Sequence, residues 1–386
     1  MPNYSAAISS KLPDTSTSIF AVMSKLSHEE NAINLAQGYP DFPSSPKLIE
    51  LVNKAMKDGF NQYAPMPGIH SLREAISDKI ETLYGTQYDP ETEITVTAGA
   101  TQAIYTIITS LVHKDDEVII FAPAYDCYDP TIRLNGGKTV ELELKAPGFK
   151  VDWEGVKTAI SEKTRMIIIN TPHNPTGTIL SREDMLKLEE LVRNTKILIL
   201  SDEVYEHLVY DGSEHQSVAR FPGLAERSFL VASFGKTFHN TGWKMGYCAG
   251  PSALMKEFRK VHQFNVFSVN HPIQKALATY LQEKEHYLSL AKFFQAKRDL
   301  FLDAVKGSKF SFSPSSGTYF QLLDYSSITG ESDMELAKKW TRERKLASIP
   351  VSAFYNQRTD HKVLRFCFAK SDETLIRGAE ILNAIE

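Results

Sequence analysis

Ser233-Phe234-Gly235-Lys236-Thr237-Phe238-His239-Asn240-Thr241-Gly242-Trp243-Lys244 follows Ser228-Phe229-Leu230-Val231-Ala232, a short apolar run that reads as a buried strand. A lysine at the mouth of such a strand, among hydroxyls and glycines, has three readings. It can close a nucleotide P-loop, carry a Schiff base, or sit solvated on a loop. The P-loop fails on spacing: that motif needs a glycine where Leu230 stands, and no glycine-rich turn precedes the lysine. The solvated loop is the plain default for any single lysine. Against it stand specific flanks, Ser233 before Lys236 and Gly242-Trp243-Lys244 after it.

The whole chain has 386 residues and a formal net charge of -4. That length suggests two domains, or one large domain with an appendage, and permits a sizeable core. Mild acidity without a long basic run gives no footprint for nucleic acid. Cys127, Cys248 and Cys367 stand alone, with no Cys-x-x-Cys spacing, so neither a zinc site nor a disulfide framework is signalled. Such usage fits a reducing cytoplasm. Met1-Pro2-Asn3-Tyr4 lacks the basic start of a secretory signal. No apolar stretch approaches the ~18 residues of a membrane span, so no membrane partner is expected.

Several strand ends carry residues with chemistry. Ile94-Thr95-Val96-Thr97 reads as a strand and Gly99-Ala100-Thr101 as a tight turn opening a helix, where free backbone N–H groups bind anions. Glu117–Phe121 is a strand followed by Tyr125, placed either to stack on a flat heteroaromatic ring or to pack in the core. Met166–Ile169 is continuously apolar, as a parallel strand buried on both faces should be, and runs into Asn170-Thr171-Pro172-His173-Asn174-Pro175-Thr176-Gly177, a turn by composition. Ile197–Ser201 ends at Asp202 and Glu203, where α/β sheets place ligand sites. Asp202, Glu203 and His207 are one candidate metal set, although their spacing matches no compact motif. Arg365 lies in the apolar run 363–368 and must be ion-paired or face a cavity, because burying its charge alone is costly. Tyr63 sits in the turn-rich Asn61–Gly68 and reads as packing, and Asn34–Pro43 as an irregular segment or a linker. Helices are expected at 46–57, at 71–83 with Ser71 and Glu74 at capping-box spacing, and at 181–193. Further helices are expected at 251–263, 271–305 and 332–345, and strands at 243–249 and 316–322.

Together these stretches resemble the class I/II, fold-type I pyridoxal-phosphate (PLP) aminotransferases. The likeness runs from Gly38 to Arg365 and departs where Lys244 replaces the commoner arginine. Asn-Thr-Pro-His-Asn-Pro, Ser-Asp-Glu-Val-Tyr-Glu and Ser-Phe-Gly-Lys-Thr-Phe-His-x-Thr-Gly-Trp-Lys are closest to its methionine, kynurenine and glutamine branch. The resemblance implies an α/β fold: a mostly parallel seven-stranded sheet flanked by helices in a large domain at 47–280, with a smaller α+β domain from 1–46 and 281–386. It implies PLP on Lys236, with Gly99, Ala100, Thr101, Ser233 and Lys244 at the phosphate and Tyr125 on the ring. Asn174 and Tyr205 meet the ring's 3′-oxygen, and Asp202 pairs with its nitrogen. Arg365 and Asn174 hold the substrate carboxylate, with the backbone of Gly38 and with Tyr39 beside it. Tyr63 reaches the partner's cofactor, which makes a homodimer with a shared site.

The implied reaction moves the amino group of an L-amino acid to a 2-oxo acid, with Lys236 as general base and then acid and no metal. Phe20, Tyr39, Tyr63, Tyr125 and Phe267 can line an apolar side-chain pocket, and methionine-type or aromatic donors are expected over aspartate. Three rivals stay open, one of them a metal hydrolase built on Asp202, Glu203 and His207. A cysteine-S-conjugate β-lyase uses the same residues. A non-catalytic PLP-fold regulator usually adds an N-terminal DNA-binding domain, and the stretch before Gly38 is too short for one.

Overall fold

Strands buried on both faces must be apolar throughout, and the sheet of this protein is built around that requirement. The computed structural model describes residues 7–385. Strand β1 (Ile33–Asn34) stands apart from the next seven: β2 (Ile94–Thr97), β3 (Glu117–Ala122), β4 (Lys138–Glu143), β5 (Thr164–Asn170), β6 (Leu198–Asp202), β7 (Ser228–Ser233) and β8 (Gly246–Ala249). These seven form one sheet in the order β2-β8-β7-β6-β5-β3-β4. Only β8 runs against its neighbours. Side chains of β5 alternate between two packed faces. Met166 and Ile168 join Ile104, Ile107 and Phe258 on one side, while Ile167 and Ile169 join Leu188, Ile199 and Leu230 on the other.

A second, antiparallel sheet follows: β9 (Phe320–Asp324), β11 (Ile349–Pro350) and β12 (Val363–Cys367), in the order β11-β12-β9. Strand β10 (Leu346–Ala347) pairs in parallel with β1, so the N-terminal segment is tied to the C-terminal part of the chain.

Some expectations shift. The helix expected at 71–83 runs His70–Tyr84 with Ile69 as its cap, so Ser71 lies inside the first turn and the Ser71–Glu74 box does not form. The Gln274 side chain anchors that start, accepting from Ile69 N–H at 2.8 Å. A capping box does form at Ser181 and Asp184, opening the helix Arg182–Val192. The continuous helix expected at 271–305 is three helices, His271–Tyr280, Glu285–Leu288 and Leu290–Val305. Its break lets the rings of Tyr280 and His286 stack at 3.8 Å. The strand expected at 243–249 begins only at Gly246, because Lys244 turns left-handed at φ 53°. The strand expected at 316–322 starts at Phe320, since Thr318 is also left-handed and its N–H goes to Leu208 O at 3.0 Å. Edge strand β4 carries no apolar run: its polar residues run from partly buried Thr139 and Glu141 to exposed Lys138 and Glu143.

Beneath the main sheet lies a buried ionic cluster. Lys79 donates to Glu206 at 2.6 Å and Tyr84 donates to the other oxygen of Glu206 at 2.5 Å. Burial pushes the Glu206 carboxyl up, but Lys79 and its other neighbours outweigh that and hold it at about 2. The pair's contribution is therefore present above the ordinary carboxylate range and is lost as pH falls towards 2. Lys79→Met leaves Glu206 charged and buried and should cost about 3–5 kcal/mol, read as a lower urea midpoint. Adding Glu206→Leu should recover most of that loss; a double variant no more stable than Lys79→Met would contradict it.

Candidate active site

The parallel strands β5, β6 and β7 end side by side, and antiparallel β8 begins at the same edge. One cavity of about 250 Å³ opens there. Of the residues singled out in the sequence, Gly38, Tyr39, Gly99, Ala100, Thr101, Tyr125, Asn174, Asp202, Tyr205, Ser233, Lys236, Lys244 and Arg365 line it. Tyr63 does not. It is 79% exposed and lies edge-on to Phe267 at 5.4 Å, so both these aromatics sit outside the cavity of their own chain.

At one end is an anion cup. The helix Ala100–Leu111 starts at Gly99, which has φ 78° and gives no side-chain cap, leaving the helix N-terminus to the cavity. A Cβ on Gly99 would stand 3.3 Å from Lys244 Nζ, so the ammonium leans over that terminus. The left-handed turn at Lys244 aims it there, and a Cβ on Gly246 would meet Ala100 N at 3.0 Å. Thr101 and Tyr125 hydroxyls lie 3.2 Å apart at the rim. Ser233 caps the turn Phe234–Thr237 by accepting from Lys236 N–H.

At the other end Asp202 is buried at the tip of β6. Burial pushes its carboxyl up to about 6, although Tyr128 donates to it at 2.6 Å and Lys236 acts on it favourably. Asn170 donates to Asp202 O at 2.8 Å, and its own oxygen accepts from Asn174 N–H at 2.9 Å. One asparagine thus fixes the spacing of two site residues.

Lys236 Nζ donates to Gly38 O at 2.9 Å and to the Tyr319 hydroxyl at 3.0 Å. Burial lowers the amine to about 8, with Arg365 and Lys244 acting in the same direction. Arg365 is fully buried. It donates to Asn174 Oδ1 at 2.7 Å and to Ala36 O at 2.9 Å, both neutral oxygens, while its Nε has no partner. Its guanidinium lies 3.9 Å over the Phe320 ring and 5.3 Å from that of Phe20. Of the two readings for this arginine, the geometry favours the cavity.

The alternative metal set does not converge. Asp202 faces the cavity. Glu203 accepts from Ser201 at 2.7 Å and lies 2.7 Å from His215. His207 packs on Tyr287. Sequence reasoning missed Tyr128, Asn170, Phe320 and Tyr319. Tyr128 follows the Tyr125 stretch and Asn170 opens Asn170–Gly177, so their positions were a usable signal, whereas Phe320 lay in an expected strand with no chemistry attached. Tyr319 meets Lys236 only through the fold.

Known proteins resemble this chain over nearly its whole length. The family model for class I and II aminotransferases matches residues 30–382. Methionine aminotransferase of Escherichia coli K12 is 47% identical over 377 residues, spanning 97% of this chain and 98% of that protein. Human kynurenine–oxoglutarate transaminase 3 is 36% identical, spanning 95% and 88%. The solved structure of YbdL from Escherichia coli, identified in that work with a methionine aminotransferase function, superposes with a TM-score of 0.95 at 46% identity, covering 98% of this chain and all of that one.

Pyridoxal phosphate fits the residues present. The cup offers backbone donors and an ammonium for a phosphate, Asp202 offers a carboxylate for a protonated ring nitrogen, and Lys236 offers an amine for the aldehyde. Only the neutral amine attacks an aldehyde. The rate at which apoprotein captures pyridoxal phosphate should therefore climb about tenfold per pH unit below 8 and level off above it, followed by visible absorbance. Equilibrium affinity should fall as pH drops below about 6, where Asp202 takes up a proton. A capture rate still climbing at pH 10 would mean that Lys236 is an ordinary solvated lysine.

Proposed function

The chain belongs to the class I and II aminotransferases and uses pyridoxal phosphate, and we propose that it moves the amino group of an apolar or aromatic L-amino acid, methionine foremost, to a 2-oxo acid. One observation carries the reading: a fully buried guanidinium, bonded only to neutral oxygens and with Nε unpartnered, opens on the cavity that holds Lys236 and Asp202. Such a cation is a receptor for a carboxylate.

When bound, the cofactor draws electrons from the α-carbon of the amino acid. The protein does the rest. Arg365 grips the α-carboxylate in a two-pronged bond, with Asn174 and Ala36 O setting the plane of its fork. Asp202 holds a negative charge at the far end of the cavity, and Tyr128 keeps that carboxylate oriented. The Lys236 amine, lowered to about 8, is neutral often enough near pH 7 to accept the α-proton and later release it. The buried Tyr205 covers the cavity wall and helps to exclude water.

Donor choice follows from the lining. Phe20, Tyr39, Ile104, Tyr125 and Phe320 give apolar surface, while the lining cations Lys236, Lys244 and Arg365 each already have a task. Nothing in this lining is left to pair with a second carboxylate. The methionine and kynurenine relatives point the same way. We further propose a homodimer in which the exposed Tyr63 reaches the partner's cofactor phosphate, a reading supported by the exposed Phe267 ring edge-on to Tyr63 and by the exposed Phe264. The division into 47–280 and 1–46 with 281–386 rests on the β1–β10 pairing. The free cysteines fit a cytoplasmic setting.

A panel of amino donors, followed by loss of cofactor absorbance in single turnovers, should rank methionine and aromatic donors well above aspartate. Aspartate at the top would overturn the donor assignment. Lys236→Ala should abolish turnover and the visible band together. Arg365→Lys, which keeps the charge and loses the fork, should lower kcat/KM about 100-fold, mostly through KM.

A further inference from the structure

Tyr319 belongs to none of the roles assigned so far, yet it touches the reactive lysine. It is fully buried just before β9, 83 positions along the chain from Lys236. Its hydroxyl donates to Gly38 O at 2.6 Å and accepts from Lys236 Nζ at 3.0 Å. The same Gly38 oxygen accepts from Lys236 at 2.9 Å. Three groups from three separate segments thus close a triangle. The ring is fixed by edge contacts with Tyr205 at 5.1 Å and Phe320 at 5.0 Å, and by Phe294 at 5.8 Å. The ammonium also lies 5.5 Å over the Tyr319 ring.

We propose that Tyr319 is a positioning residue for Lys236: its hydroxyl and the Gly38 carbonyl form the seat that holds the lysine amine whenever that amine is not bonded to the cofactor. The inference rests on the reading of Lys236 as the reactive amine. The seat is oriented by its own hydrogen bonds. Tyr319 has one hydroxyl proton and gives it to Gly38 O, so a lone pair faces the lysine. An ammonium therefore finds two acceptors there, which favours the charged form over the neutral one. Gly38 belongs to the segment that also lines the substrate side of the cavity, and its position leaves no room for a side chain: a Cβ would meet the Phe320 ring at 2.8 Å. Holding the lysine thus ties that segment down at the same time.

Other groups set the background against which the seat works. Lys236 faces Cys367 and Arg365 from β12, Lys244 from the turn before β8, Asp202 from β6 and Tyr205 just beyond it. The cations among them oppose the ammonium and Asp202 favours it. Of these groups only Tyr205 shares a hydrogen bond with the Tyr319 hydroxyl; Asp202, Arg365 and Lys244 keep their charges in place, so Tyr319→Phe removes the seat's hydroxyl while keeping the ring's packing.

The measurement is the pH midpoint for pyridoxal phosphate capture by apoprotein. Tyr319→Phe should lower that midpoint by about one unit, because the ammonium loses an acceptor. In single turnovers the same variant should lose about tenfold in kcat with donor KM within about twofold, the pattern of an impaired proton transfer. Phe294→Leu loosens the ring's packing and leaves the hydroxyl, and it should leave the midpoint where it is. A Tyr319→Phe midpoint equal to that of the unaltered protein, or one matched by Phe294→Leu, would overturn the proposal. Should the Phe variant prove insoluble, Tyr319→Trp offers a second ring without this hydroxyl and is held to the same midpoint shift. Failure of the underlying reading would look different: Lys236→Ala would then still capture pyridoxal phosphate with the same visible band.

Discussion

A full positive charge at the centre of a protein is tolerated only where the surrounding chain holds it, and Arg365 is that charge here. Its guanidinium joins three pieces. It belongs to β12 of the small sheet, it donates to Asn174 beyond β5 of the large sheet, and it donates to Ala36 O of the N-terminal segment. Phe320 and Phe20 shield it from the sides. The desolvation cost of several kcal/mol is only partly met by neutral oxygens, and in the proposed reaction a substrate carboxylate would complete the set. On that proposal, affinity for substrate and the assembly of the small sheet against the large one share one interaction.

The large sheet supplies the rest by direction alone. Residues that hold a ligand must stand at one edge, and strands running in parallel put all their C-terminal ends there. Asn174, Asp202 and Lys236 follow β5, β6 and β7 in turn. A seventh strand in the same sense would have carried Lys244 to the far edge. Because β8 runs the other way, the residue before its start reaches the cup instead. The left-handed turn at Lys244 then points the ammonium across the start of the helix Ala100–Leu111. Antiparallel pairing at that one place is what lets a lysine close the cup.

What the sequence showed, and what it hid, divides along sequence separation. Local signals were legible: apolar runs such as Met166–Ile169 became strands, and Asn170–Gly177 became a turn at a strand's end. Elements whose limits depend on distant partners were not. The helix at 71–83 was displaced because Gln274, some 205 positions from Ile69, anchors its start. Strand β4 is polar on alternate residues because it sits on an edge, and it reads as a strand only once β3 is beside it. In the site, Tyr128 lies three residues past Tyr125 and was within reach of the sequence. Tyr319 was not, since 83 positions separate it from Lys236. Tyr63 sits outside the cavity of its own chain, and no local signal in the sequence separates it from a surface aromatic.

The two ends of the cavity also explain each other. Burial acts on Lys236 and Asp202 in opposite chemical senses, lowering the amine to about 8 and raising the carboxyl to about 6. Between those values the carboxylate is mostly charged and the amine is neutral in a useful fraction. A base that is too strongly held as an ammonium cannot take a proton, and an acid that is neutral cannot hold a protonated ring nitrogen. Desolvation alone would push both groups towards neutrality. Tyr128 restrains the carboxyl by bonding to it, and Asp202 itself favours the ammonium. Each end is held short of neutrality by partners that the same burial makes effective, because charges and hydrogen bonds act more strongly where water is excluded. Neutral pH falls inside the window that results, which is what a lysine working first as base and then as acid requires.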